Sequence, residues 1–212
     1  AMVAAATYGM IPLFALPLYA DGLNPDSVLF FRYMFAIAIL AAMIKLRGRE
    51  FAVKRSEILP LMAMGVIMSL SSLTLFGSYQ YMDGGIASTI LFVYPVLVAV
   101  IMALFFKEKI TVVTMLCIVF ALGGILLLYN GDNNVSLSIK GTTLVLLSAM
   151  FYAIYIVSVN RSVLKKIPTV KLTFYMLLFG ISLFIYRIDF GSSVIVPTKW
   201  YLWGNLFSLA LF

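Results

Sequence analysis

Apolar residues fall in eight long runs, and nearly every charged residue sits at a junction between two of them. The runs cover about 2–20, 27–45, 58–82, 86–106, 110–129, 141–160 and 171–187, and the last opens near Trp200 and is still apolar at Phe212. A helix crossing the hydrocarbon core of a bilayer needs about 20 apolar residues. Transmembrane barrels instead alternate apolar and polar residues over segments of about ten. Unbroken runs of helical length therefore predict an all-α, polytopic membrane protein. Bulk composition agrees: of 212 residues, 64% are hydrophobic and 11% charged. Soluble domains carry about 25% charged residues, and a disordered chain needs low hydrophobicity.

The junctions explain the breaks. Asp21-Gly-Leu-Asn-Pro-Asp26 ends span 1, and Asp83-Gly84-Gly85 ends span 3. Lys107-Glu108-Lys109 ends span 4, and Asn130-Gly131-Asp132-Asn133-Asn134 ends span 5. Clusters of Gly, Pro, Asn and Asp are turn formers.

The same junctions carry a topology. The loops after spans 2, 4 and 6 hold eleven Lys and Arg, those after spans 1, 3, 5 and 7 hold three, and Arg32 lies inside span 2. Basic residues collect on the cytoplasmic side, which predicts cytoplasmic even-numbered loops and a cytoplasmic N-terminus. The net charge of +7 is then a property of those loops and calls for no nucleic-acid partner. The chain has no His and one Cys, Cys117, inside an apolar run. It can form no intramolecular disulfide and reads as a small buried hydrophobe. No charged, short-cored signal peptide opens the sequence.

A repeat underlies the pattern. Ala4-Ala5-Ala6-Thr7-Tyr8-Gly9 aligns with Ser148-Ala149-Met150-Phe151-Tyr152-Ala153, and Arg32-Tyr33-Met34-Phe35 with Phe174-Tyr175-Met176-Leu177. Five spans separate the copies. Five is odd, so the second copy crosses upside down. The loop after span 1 has no basic residue and its counterpart after span 6 has four; the loop after span 2 has five and its counterpart after span 7 has two. Opposite bias in equivalent loops is what an inverted-topology repeat requires. The predicted organisation is a first repeat over 1–130, a linker over 131–140 on the extracytoplasmic side, and an incomplete second repeat over 141–212. The expectation is a chain cut at both ends, with two further helices and the rest of span 8 outside it.

The motif words then resemble a known family. Ala87-Ser-Thr-Ile-Leu-Phe-Val-Tyr-Pro95, Phe106-Lys-Glu108-Lys-Ile-Thr111 and Gly123-Gly124-Ile-Leu-Leu are similar to the end of an EamA domain. Tyr8-Gly9-x-x-Pro12 is similar to its start, with Tyr in place of Trp, and Arg32 matches a basic residue found early in its second helix. The resemblance implies the drug/metabolite transporter superfamily, a ten-helix inverted-repeat fold with eight helices in this chain, and export of amino acids or other small metabolites. The implied location is a bacterial inner (cytoplasmic) membrane, with a small-molecule substrate, a bilayer and no cofactor. A monomer is the expected state.

Such a transporter needs a polar cavity near the midplane. Ser71, Thr74, Ser78 and Tyr81 share one face of span 3, and Ser148, Tyr152 and Tyr155 share one face of span 6. Tyr8 and Pro12 lie one turn apart in span 1, and Tyr8 is the repeat counterpart of Tyr152. Tyr94 and Pro95 in span 4, and Trp203 and Asn205 at the start of span 8, complete the candidates for substrate binding. Two readings stand for each Ser and Thr, because small polar residues also pack membrane helices together. Pro95 removes a backbone donor and predicts a kink, either a hinge or a static bend. Arg32 either snorkels to the nearby interface or handles an anion. Tyr19, Tyr129, Trp200 and Tyr201 sit at span ends as interfacial anchors.

Other function classes lack their residues. With no His, one Cys and no acidic pair at ligand spacing, neither a catalytic site nor a metal site can be assembled in the reading. No repeated polar ring points to a channel. No Asp or Glu lies in the core of a span, so carboxylate-based proton antiport has no residue here. An accessory membrane subunit and a flippase for lipid-linked substrates remain as alternatives.

Overall fold

The computed structural model describes residues 10–48, 50–108, 112, 115–116, 119–120, 123–124, 138–191 and 194–211. Helices account for most of them: α1 (Ile11–Ala20), α2 (Pro25–Leu46), α3 (Arg55–Ser78), α4 (Gly84–Leu91), α5 (Tyr94–Phe106), α6 (Ile139–Arg161), α7 (Thr169–Arg187) and α8 (Trp200–Leu211). Two 3-10 turns follow α6 and α7. Among the described residues, five segments are long and apolar enough to cross a membrane: α2, α3, α4 with α5, α6 and α7. The described residues of span 5, among them Val112, Leu116, Val119 and Phe120, are helical and expose their apolar side chains. The protein is an all-helical, polytopic membrane protein.

Local chemistry sets the ends. Asn24 caps α2 by accepting from the Ser27 N–H at 3.0 Å, and Pro25 occupies the first turn, where its missing donor costs nothing. Helix α2 thus begins two residues before the sequence pattern places it. Asp83 caps α4 by accepting from the Gly85 N–H at 2.8 Å. Span 3 ends at Ser78, earlier than its apolar run, in turns through Tyr81.

The chain divides into two compact units, one of Ala1–Ser69 with Val159–Phe212 and one of Leu70–Ser158. The boundary falls inside α3 and inside α6.

In the first unit, ring contacts fix the helix directions. Tyr33 meets Phe184 near the start of α2 and the end of α7, with centroids 4.9 Å apart, and Phe51 beyond α2 meets Phe174 near the start of α7 at 5.7 Å. Helices α2 and α7 are therefore antiparallel. Phe31 meets Trp203 at 5.4 Å and Phe35 meets Phe207 at 6.2 Å, so α2 and α8 are parallel. Helix α3 crosses α7 at a glycine pair. A Cβ on Gly65 would lie 2.6 Å from the Met176 carbonyl oxygen, and one on Gly180 would lie 3.0 Å from the Gly65 carbonyl oxygen. Only glycine permits that approach. In the second unit, Ser71 faces Ser148, Gly77 faces Leu144 and Met82 faces Gly141, so α3 and α6 are antiparallel.

Candidate functional site

The candidate residues fall into two groups. In the second unit, α3 brings Ser71, Thr74 and Ser78, α5 brings Tyr94 and Pro95, and α6 brings Ser148, Tyr152 and Tyr155. In the first unit stand Pro12, Arg32, Trp203 and Asn205. Tyr8 lies outside the described residues.

The two serines make a reciprocal contact. The Ser148 hydroxyl donates to the Ser71 carbonyl at 2.7 Å, and the Ser71 hydroxyl donates to the Ser148 carbonyl at 3.0 Å. The two Oγ atoms are 3.0 Å apart, and both residues are buried. Each hydroxyl has one hydrogen, so each is committed to the opposite helix. This is the helix-packing use of serine. Thr74 donates to the Leu70 carbonyl at 2.9 Å, and Ser78 to the Leu75 carbonyl at 2.6 Å, both within α3. Back-bonding of this kind satisfies a hydroxyl where water is absent.

The three tyrosines gather one to two turns along α6 from Ser148. Tyr94 meets Tyr152 edge to face at 4.9 Å and 89°, and Tyr152 meets Tyr155 at 5.7 Å. All three are half-buried. The cluster sits at a gap in span 4. Proline at 95 cannot donate to the carbonyl of residue 91, and α4 ends at Leu91. Phe92 and Val93 turn tightly, donating to the Thr89 and Ile90 carbonyls at 3.1 and 3.0 Å, before α5 starts at Tyr94. The predicted kink is a break of two residues. Phe92 and Val93 keep near-helical backbone angles, so α4 and α5 stay joined as one span through a tight turn beside Tyr94.

In the first unit, Arg32 donates from Nε to the Leu209 carbonyl at 3.0 Å. The guanidinium is therefore engaged across to α8. Trp203 packs against Phe31 and, at 6.3 Å, Phe35. Pro12 is buried in the first turn of α1, and Asn205 is half-buried on α8.

Sequence reasoning missed one polar pair. Tyr79 and Ser88 are buried, with their hydroxyl oxygens 3.5 Å apart. Ser88 lies in the Ala-Ser-Thr motif and Tyr79 just past the predicted polar face, so spacing alone did not join them. Ser69 was missed as well: its buried hydroxyl has no hydrogen-bond partner among the described residues.

Comparison with known proteins places this geometry. No curated protein matches the chain. A crystal structure of another protein superposes with a TM-score of 0.65 over 99% of this chain and 74% of the other, at 15% sequence identity. At that identity the likeness concerns fold alone. The EamA-like transporter family matches residues 1–130. With more than half of its length matched, the chain belongs to the EamA-like transporter family, within the drug/metabolite transporter superfamily.

Proposed function

We propose that the protein exports small metabolites such as amino acids by alternating access between two inverted repeats, residues 1–130 and 141–212. The observation that carries this reading is the tyrosine cluster at the break in span 4, where Tyr94 of the first repeat meets Tyr152 of the second, which in turn meets Tyr155. Pro95 withdraws the usual helix donor from the Leu91 carbonyl, and a substrate can bind where polar aromatic groups gather at such a turn. Helix directions support the inverted repeat. Helices α2 and α7 are equivalent in the two copies and run antiparallel.

Within the reading, Tyr94, Tyr152 and Tyr155 contact substrate, and Pro95 fixes the break. Ser71 and Ser148 hold α3 to α6 beside them, with Thr74 and Ser78 on the same face. Tyr8, Pro12, Trp203 and Asn205 are further substrate-binding candidates in the first unit, and Arg32 steadies α8 against α2. The even-numbered loops face the cytoplasm of a bacterial inner membrane, as their basic residues favour, and the working unit is a monomer. With no carboxylate in the span cores of this sequence, transport is either facilitative, the version tested below, or coupled through helices outside these residues or through a different device.

Thermal stabilisation of the purified protein by amino acids, nucleosides, sugars and lipid head groups selects the substrate, because a ligand that binds only the native state raises Tm. Uptake of the stabilising compound into proteoliposomes, with and without a pH gradient, then tests transport. Uptake without the gradient is expected. A strict requirement for the gradient contradicts the facilitative mechanism, and absence of uptake under both conditions contradicts transport.

A further inference from the structure

Two ion pairs lie at one end of the first unit. Arg187, the last residue of α7, holds Asp26 in the first turn of α2 through two contacts, Nε to Oδ1 at 2.6 Å and Nη2 to Oδ2 at 3.1 Å. Lys199, just before α8, pairs with Asp21, the residue that ends α1. Between them the Ile195 N–H donates to the Ser27 hydroxyl at 3.0 Å. Arg187, Ile195 and Lys199 are thus tied to Asp21 at the end of α1 and to Asp26 and Ser27 in the first turn of α2. It leaves α7 through Asp189 and Phe190, whose φ values of 48° and 52° lie in the left-handed region that such residues seldom adopt. Tertiary contacts are what hold such a turn.

We infer that Asp21, Asp26, Arg187 and Lys199 form a charge clasp that closes this end of the first unit and releases during the transport cycle. The inference rests on the transporter reading for the cycle and on geometry alone for the clasp. Both pairs join the first repeat to the second. Each is also exposed on its cationic side: the side-chain exposures are 46% for Arg187 and 53% for Lys199, against 18% and 17% for the aspartates. Ion pairs in such settings are weak and salt-screened. That suits a gate, which has to open, and two such pairs with a hydrogen bond between them add enough to bias a closed state. Helix ends reinforce the choice, since Asp26 sits at a helix N-terminus and Arg187 at a C-terminus. The opposite end of the same helices is held differently. There the Lys171 ammonium and the Tyr175 hydroxyl donate to the Ala52 and Phe51 carbonyls, and Phe51 packs on Phe174. A carbonyl acceptor cannot be turned into a repulsive partner by one charge change. The ion pairs can.

Leu23 and Ile188 are buried at the clasped end, at 4% and 2% exposure. With Cys117→Ser as background, Leu23→Cys reports opening through its labelling rate with a membrane-impermeant maleimide. Right-side-out and inverted vesicles are both assayed, so the result does not depend on sidedness. Asp21→Lys, which sets two ammonium groups against each other, is expected to raise the rate by about two- to five-fold, the range an exposed ion pair carries. Adding Lys199→Asp restores an opposite-charge pair, with each charge now favoured by its helix end, and is expected to return the rate to the starting value. An unchanged rate in Asp21→Lys, or an increase that Lys199→Asp leaves in place, overturns the clasp. Ile188→Cys provides the second probe should Leu23→Cys fail to fold. Transport is measured separately, so loss of the functional reading shows as absent uptake and loss of the clasp as unchanged labelling.

Discussion

Helix α3 passes through two seams of opposite character, and the contrast separates scaffold from working parts. In the first unit it meets α7 at Gly65 and Gly180, backbone against backbone, beside the Tyr33–Phe184 ring pair. Ser69, buried beside Gly180, has no hydrogen-bond partner among the described residues. In the second unit, one turn further on, the same helix meets α6 through Ser71 and Ser148, with the tyrosine cluster and the broken span beyond. Close backbone packing has few alternative arrangements. Half-buried rings can exchange partners. On the proposed reading, the glycine crossing and the serine contact are the fixed parts, and the tyrosine cluster beyond them is where substrate acts.

Enlarging the dry crossing gives the largest effect. Gly180→Leu puts a side chain into the Gly65 backbone and the Tyr33 ring, and is expected to cost upwards of about 3 kcal/mol, at or beyond the upper end of typical overpacking penalties. Loss of monodisperse, detergent-extractable protein is the readout. Gly77→Ala is the control on the other seam. Its Cβ would only reach Leu144 Cδ1 at 4.0 Å, so Tm is expected to hold or rise slightly. Equal damage from the two substitutions would erase the contrast.

The serines give a smaller, signed test. Ser71→Ala removes a donor and leaves the Ser148 carbonyl without it, with an expected loss of about 0.6–1 kcal/mol. A double-mutant cycle with Ser148→Ala should show that the two losses are coupled. Ser69→Ala removes a hydroxyl with no described partner and is expected to be neutral or stabilising. A larger loss at Ser69 than at Ser71 would invert the assignment.

The smallest effect is a pH dependence at the clasp. Hydrogen bonding to Asp21, and then to Tyr201, raises the Lys199 pKa above its ordinary value of 10.5. A raised cationic pKa means that the contribution is complete below 10.5 and disappears as pH rises through the higher folded-state value. The Tm difference between the protein and Lys199→Gln is thus expected to stay level from about pH 7 to 9 and to close only above about 10.5. A difference that closes between pH 7 and 9 would assign it to another group.

Much of this architecture was legible because lipid imposes a simple grammar. Run length marked the five segments that are long enough to cross a membrane among the described residues, turn residues marked their junctions, and Pro95 marked the turn in span 4. Asn24 and Pro25 carried a start signal for α2 that the apolar pattern alone placed two residues late. The candidate site was half legible. Helical spacing put Ser71 with Thr74 and Ser148 with Tyr152 on shared faces, but the meeting of those faces depends on an antiparallel contact 77 residues apart in sequence. The clasp was not legible at all. Asp21 and Lys199 are separated by 178 residues, and in the sequence each is simply a loop charge. Their pairing follows from which helix ends the fold brings together.

On the proposed function, the tyrosine cluster at the broken span handles the transported molecule. Uptake of the stabilising metabolite into proteoliposomes by the protein and by Tyr152→Ala tests it directly, with Tm recorded for both. Tyr152→Ala is expected to keep a cooperative melting transition and to lose at least about 90% of uptake, as removal of a central aromatic contact can cost more than 1.4 kcal/mol, tenfold in affinity. Uptake by Tyr152→Ala equal to that of the unaltered protein, with the same substrate and the same fold, would contradict it.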